Sequence, residues 1–396
     1  MSKDEANWPA LDLLRGIAAV LMIANHAAVR WCHPVDVSWA SSAAFWAGGL
    51  APVLFFFATG FGYGVQHSAS SGGKAHRYGF LRKVLVLCVA DWFGPWAQSA
   101  GVLRIDFLGF IGASMLVLEP LRRARRGPAL ASMLLVAVIA VRFGLSPALT
   151  GLGIDLTAWA AVTGRSAVAW NSYPPFPWLA FPLLGFVLGA AAERVRPTLR
   201  MDALAIACFL SATLAFAASA GLSHAGYALQ RYGTMSVAYL PLALGGIAIV
   251  ASVALAWQSW GAGSFARAIA LRGLASLLVV PVHYWLLSAL RPLVAPQSAV
   301  AFVVVLSVAV IAALALSRWA TSWALQPGPF AARWGVACLA FGTLAALLLN
   351  IAPIPTGAGR AALAFSGQIA VCLLFVLPLR PIGASRTEPH SLSGAH

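Results

Sequence analysis

The sequence predicts an all-α fold: a polytopic transmembrane helix bundle of about 10–12 spans with both termini cytoplasmic. Three observations carry this. Of 396 residues, 61% are hydrophobic and 9% charged, where a soluble domain carries about 25% charged residues. Apolar runs long enough to cross a bilayer recur along the whole chain. Lys and Arg gather in the short loops between those runs. Positive-inside topology therefore accounts for the formal net charge of +15, and a nucleic-acid partner is rejected.

The candidate spans are 10–30, 44–66, 80–98, 105–120, 128–146, 176–194, 202–222, 236–257, 272–290, 298–316, 333–351 and 361–379. The fourth is short enough to be re-entrant. With the N-terminus inside, the cytoplasmic segments hold eighteen basic residues and the outer segments seven. That bias sets the orientation. Residues 1–380 read as one transmembrane domain and 381–396 as a disordered cytoplasmic tail. The N-terminus lacks a basic n-region, so the first apolar segment is expected to stay as a membrane helix. Cys32, Cys88, Cys208, Cys338 and Cys372 form no C-x-x-C pair and read as small buried hydrophobes, without a disulfide framework or a zinc site. No inverted repeat is evident.

The first span, LDLLRGIAAVLMIANHAAVR, holds Asp12, Arg15 and His26. Ionisable residues inside a membrane helix cost about 2.5–3.5 kcal/mol each near its centre and mark function by default. At about 100° per residue, Arg15 lies roughly 60° from Asp12 and His26 roughly 20° from Arg15, so all three share one stripe. Asp12 and Arg15 are an i, i+3 pair. His26 lies about 16 Å further along the axis, beyond the midplane.

This segment resembles the N-terminal signature of the acyltransferase-3 family, a Leu-Arg-Gly-Ile-Ala run followed by His in an Arg-x10-His spacing. Arg15, Gly16, Ile17, Ala18 and His26 carry the match. It also resembles the heparan-alpha-glucosaminide N-acetyltransferase catalytic-domain family, which opens on Asp-x-x-Arg-Gly. The resemblance implies an integral-membrane acyltransferase with acyl-CoA, in the first place acetyl-CoA, as donor substrate and no permanently bound cofactor. Its acceptor would be a carbohydrate or glycolipid hydroxyl or amine at the outer face, and its location a bacterial-type inner membrane.

Further along, Phe55-Phe56-Phe57-Ala58-Thr59-Gly60 resembles the second helix of both families. Gly60, Gly62 and Gly64 permit close approach of a helix or ligand. Arg82 and Lys83 resemble the basic turn after that helix, and positive-inside anchoring explains them equally well. The Arg-rich cluster at 122–126 reads as a positive-inside anchor or a contact with anionic lipid. Asp106 opens a segment that resembles the heparan-type family. It is placed to fix a sugar hydroxyl or the His26 tautomer, or simply to start a helix. The loop 147–176 ends in the run that contains Tyr173 and Trp178. Its aromatics are a candidate acceptor surface or an interfacial belt. His33 and Asp36 sit in the first outer loop. His283 lies inside the ninth span, compatible with the late Ser-Leu-x5-His helix of acyltransferase-3 proteins, or is a packed histidine.

No G-x-S-x-G and no H-E-x-x-H occurs. The chemistry that the resemblance implies is acyl transfer with His26 as base or acyl carrier, assisted by Asp12, Arg15 and His283. Arg15, Arg82 and Lys83 would hold the donor's phosphates. Asp106, Tyr173, Trp178, His33 and Asp36 would meet the acceptor. A proton-coupled transporter or flippase, with the same ionisable residues as a relay, and a non-enzymatic scaffold stay open. Oligomeric state is not readable.

Overall fold

In the computed structural model, the residues described are 8–32, 39–68, 74–98, 105–153, 172–198, 200–229, 235–261, 263–291, 298–325, 329–351 and 358–377. They form a helix bundle, and among them eight helical stretches, some made of consecutive helices, are long and apolar enough to cross a membrane. The helices are α1 (Pro9–Trp31), α2 (Trp39–Gly48), α3 (Ala51–Val65), α4 (Lys74–Gln98), α5 (Phe107–Arg123), α6 (Gly127–Ala140) and α7 (Ser146–Gly151). Then follow α8 (Pro175–Trp178), α9 (Ala180–Val195), α10 (Met201–His224), α11 (Tyr239–Ser259), α12 (Ser264–Ile269) and α13 (Leu274–Leu290). The last are α14 (Ala299–Ala324), α15 (Pro329–Ile351) and α16 (Ala358–Leu373). Each expected span falls on one of these helices or on a consecutive pair. α13 and α16 are apolar but shorter than those eight stretches. The expected tail, 381–396, lies outside the described residues.

α1 is the hub. Pro9 starts it, Asp12 lies in its first turn and Arg30 in its last, the placement that a helix dipole favours. It packs against α2, α3, α11, α12, α13 and α14. The second expected span is broken in two: α2 and α3 are separated by Gly49 and Leu50. Free backbone groups at such a break need partners inside a membrane. The Tyr239 hydroxyl donates to Gly49 O at 3.0 Å, and Asn25 Nδ2 donates to Phe45 O at 2.7 Å.

α3 and α9 pack closely against each other. Gly60 and Gly64 face the α9 backbone at Pro182 and Phe186, and Gly185 and Gly189 face the α3 backbone at Phe57 and Phe61. Each helix thus presents small residues four apart to its partner, which lets dispersion contacts replace the missing hydrophobic drive in lipid. Gly62 is on another face. A methyl group there would stand 3.4 Å from Arg15 Nη2, so this glycine leaves room for the guanidinium.

The start of α5 is held from α4. Asp91, buried in an otherwise apolar stretch, accepts from Asp106 N at 2.6 Å and from Leu108 N at 2.9 Å. These are first-turn donors with no intrahelical partner. Asp91→Ala is expected to lower stability by about 1–3 kcal/mol, because two buried N–H groups lose their acceptor. A drop in detergent-solubilised melting temperature checks this.

Candidate active site

The C-terminal half of α1 meets the middle of α13 through two histidines. His26 Nδ1 lies 2.8 Å from His283 Nε2, and His26 Nε2 lies 2.9 Å from the Tyr284 hydroxyl. His283 Nδ1 lies 2.8 Å from the Val279 carbonyl. A carbonyl only accepts, so His283 carries its proton on Nδ1. Its Nε2, in the neutral ring, must then accept from His26 Nδ1–H. His26 Nε2 is left with a lone pair and accepts from Tyr284. The result is a directed chain: Tyr284 O–H to His26, His26 N–H to His283, His283 N–H to Val279 O. The His26 ring is half-buried, and His283 is fully buried.

A cationic and aromatic frame surrounds this chain. The Arg30 guanidinium lies 5.0 Å from the Tyr284 ring centroid and donates to Ser288 Oγ at 2.5 Å. Phe365 of α16 stacks on the Tyr284 ring, at 5.1 Å between centroids and 7° between planes. Ser288 Oγ in turn donates to Tyr284 O at 2.7 Å. The phenol ring is thereby held by three helices.

At the other end of α1, Asp12 is a structural knot. Its Oδ1 pairs with Arg15 Nη1 at 3.2 Å, and its Oδ2 pairs with Arg272 Nε at 2.9 Å. Its carbonyl accepts from Leu271 N at 2.9 Å. Gly16 abuts the Ile269 carbonyl so tightly that a side chain would collide. These contacts tie α1 to the segment that launches α13. Asp12 is fourteen residues before His26, about 21 Å along the axis, too far to touch it.

Arg15 opens onto a cavity of about 410 Å³ between α3, α4, α5 and α13. Its polar end carries Arg15, Lys83, Gln66, Glu119 and Arg122, and its apolar end carries Phe55, Phe107 and Val280. Val280 precedes His283 by less than one helical turn. Lys83 Nζ sits 5.2 Å from the Phe375 ring. Arg122, expected in a lipid-facing anchor, is instead turned inward and bound to Glu119 by two hydrogen bonds of 2.9 and 2.8 Å. The i, i+3 carboxylate draws it in, since a buried guanidinium needs a partner.

The structure therefore brings His26 and His283 together, and Arg15 and Lys83 together, at two separate places. Arg82 joins neither. Its guanidinium donates to Leu377 O at 3.3 Å and Phe375 O at 3.4 Å, satisfying carbonyls that follow the end of α16. Asp106 does not set the His26 tautomer. His283 does, and the α5 terminus is capped by Asp91. Tyr173 and Trp178 do not present an exposed aromatic surface. They are 6% and 0% exposed and pack with each other and with Phe56 in an aromatic core. Ser172 N bonds Ile105 O at 3.1 Å and turns this stretch inward. His33 and Asp36 lie outside the described residues. All five cysteines are free. Among the described residues no three His, Cys, Asp or Glu side chains gather as a metal site.

Arg30, Tyr284, Ser288 and Asp91 were not singled out from sequence. Arg30 had a signal: it follows His26 by four residues, about 40° round the helix, on the same stripe. Asp91 had one too, as a lone carboxylate within an apolar run. Tyr284 and Ser288 had none, because only the meeting of α1 with α13 gives them meaning.

A model of the family described as "Heparan-alpha-glucosaminide N-acetyltransferase, catalytic" matches residues 8–217. No curated protein matches, and no solved structure matches. The matched part is more than half of the chain. It runs from the start of α1 into α10, and so includes Arg15, His26 and Lys83, while His283 and Tyr284 lie beyond it. The resemblance to acyltransferase-3 proteins rests on the first-helix residues, the Phe55–Gly60 segment and the helix around His283. With its membrane-type bundle and the family match, the chain belongs to the heparan-alpha-glucosaminide N-acetyltransferase catalytic family of membrane acetyltransferases.

Proposed function

We propose that the protein transfers an acetyl group from cytoplasmic acetyl-CoA to a hydroxyl or amine of a carbohydrate-type acceptor at the outer membrane face, with His26 as general base. The observation that carries this is the orientation of the His26 lone pair. Nε2 already holds a hydroxyl, that of Tyr284, at 2.9 Å, the reach a general base needs toward an acceptor hydroxyl. His283 fixes the tautomer and takes part of the positive charge when His26 is protonated.

The donor's phosphates meet the polar end of the cavity, where Arg15 and Lys83 supply cationic donors. The pantetheine arm runs along the cavity toward Val280 and the histidines. The rise of about 16 Å between Arg15 and His26 suits such an arm. The loop-charge bias puts the Arg15 end on the cytoplasmic side. Asp12 holds Arg15 and the α13 entrance in place rather than meeting substrate.

Donor affinity separates the basic residues. Arg15→Gln and Lys83→Gln are each expected to raise the acetyl-CoA KM about tenfold, the cost of one charge-assisted contact. Arg82→Gln is expected to leave it unchanged. Equal effects from all three variants would remove the cavity as donor site.

The deciding experiment is transfer of radiolabelled acetyl from acetyl-CoA by purified protein in liposomes, wild type beside His26→Ala. Label in an acceptor, or slow donor hydrolysis, from wild type and neither from a folded variant supports the reading. Donor consumption by neither protein, without donor binding, sinks it and leaves proton-coupled transport as the class to assay.

A further inference from the structure

We propose that Tyr284 is a catalytic residue that passes the acceptor's proton to His26. The proposal rests on the acetyl-transfer reading and adds a residue outside the family-matched segment.

The hydrogen-bond directions define the problem. His26 Nδ1 is committed to His283, and His26 Nε2 is capped by the Tyr284 hydroxyl. The one basic nitrogen of His26 therefore faces a phenol. An acceptor must either push Tyr284 aside or work through it. The frame around the phenol favours the second route. Phe365 stacks on one side, Arg30 lies near the ring, and Ser288 joins Arg30 to the Tyr284 carbonyl. Turning the ring away would break the stack and the cation–π contact together.

The chemistry balances without another reactant. An acceptor hydroxyl donates to the Tyr284 oxygen, since a phenolic oxygen that donates can still accept. As the acceptor oxygen attacks the thioester carbonyl carbon, its O–H bond breaks and that proton passes to the Tyr284 oxygen. The Tyr284 proton passes to His26 Nε2. The new C–O bond forms, the C–S bond breaks, and the sulfur leaves as thiolate. The Tyr284 hydroxyl then gives its proton to that thiolate as the imidazolium of His26 returns the proton on Nε2 to the Tyr284 oxygen. Tyr284 ends as it began. The positive Arg30 stabilises the partial negative charge that the phenol carries midway, and His283 shares the charge on His26.

The test uses full-length protein in liposomes with radiolabelled acetyl-CoA, methyl glucoside as hydroxyl probe and hydroxylamine as amine probe. Hydroxylamine is unprotonated at neutral pH and attacks thioesters without a base. Tyr284→Phe keeps the ring, the Phe365 stack and the Arg30 contact, and removes only the hydroxyl. It is expected to lower kcat for methyl glucoside about 10²-fold, the range of general acid–base effects. Donor KM and hydroxylamine transfer should stay near wild type.

Two outcomes overturn the relay: unimpaired transfer to methyl glucoside, or equal loss with both probes, which marks a purely structural role. A second variant, Tyr284→3,5-difluorotyrosine, changes the hydroxyl's acidity and keeps its shape. The relay predicts a kcat change of about threefold or more with donor KM unmoved, and an unchanged kcat overturns it. Failure of the underlying reading looks different. There, His26→Gln would transfer as well as wild type, or wild type would transfer to neither probe, and the relay would fall with it.

Discussion

His26→Ala is expected to lower acetyl transfer by about 10²–10⁴-fold, the span that loss of a positioned general base covers. The loss should sit in kcat, with donor KM little changed, because the donor's charged end is held some 16 Å away by helix rise. The substitution also strands two partners: the Tyr284 hydroxyl loses its acceptor and His283 Nε2 loses its donor. Some stability must therefore go with it, so monodispersity and melting have to be measured on the same preparation. His26→Gln is the companion, since its amide can bond to one of those partners. A folded His26→Gln that turns over at the wild-type rate would exclude His26 as base. His283→Ala should be milder than His26→Ala, because it removes the group that orients the base and leaves the base itself.

The second large effect is structural. Gly185→Leu is expected to abolish accumulation of folded protein. A Cβ at Gly185 already collides with the Phe57 carbonyl of α3, and Gly60 meets Pro182 from the other side in the same way. Backbone cannot yield as a flexible side chain does. Even one added methyl here costs about 1–3 kcal/mol by overpacking, and Leu would force the two helices apart. Gly62→Ala, on the face toward Arg15, is the control. Its methyl would meet only the far end of a flexible side chain at 3.4 Å, so the variant should fold. Size-exclusion profiles of the two proteins in detergent decide the matter. A monodisperse Gly185→Leu would show that the close α3–α9 contact is dispensable.

The amino-acid sequence alone determined the helical class, because lipid admits few ways to satisfy a backbone and the apolar runs are long. It also singled out the first span as the candidate site, since Asp12, Arg15 and His26 share one stripe at helical spacing. The glycines of α3 were legible as a close-packing surface, though their partner, the glycines of α9, was not. Periodicity describes one helix at a time, and it ranked Tyr173 and Trp178 as interfacial because aromatics there usually are. Only the tertiary structure decided which residues share a site. It turned that aromatic stretch into the core, sent Arg82 to carbonyls beyond α16, and set Asp91 against the first N–H groups of the helix that Asp106 starts. It set His283 Nε2 against His26, which decides where the His26 lone pair points and brings Tyr284 to it. Residues 26 and 283 are joined by 257 positions of chain, and no local spacing rule can foresee a hydrogen bond made by the packing of two helices.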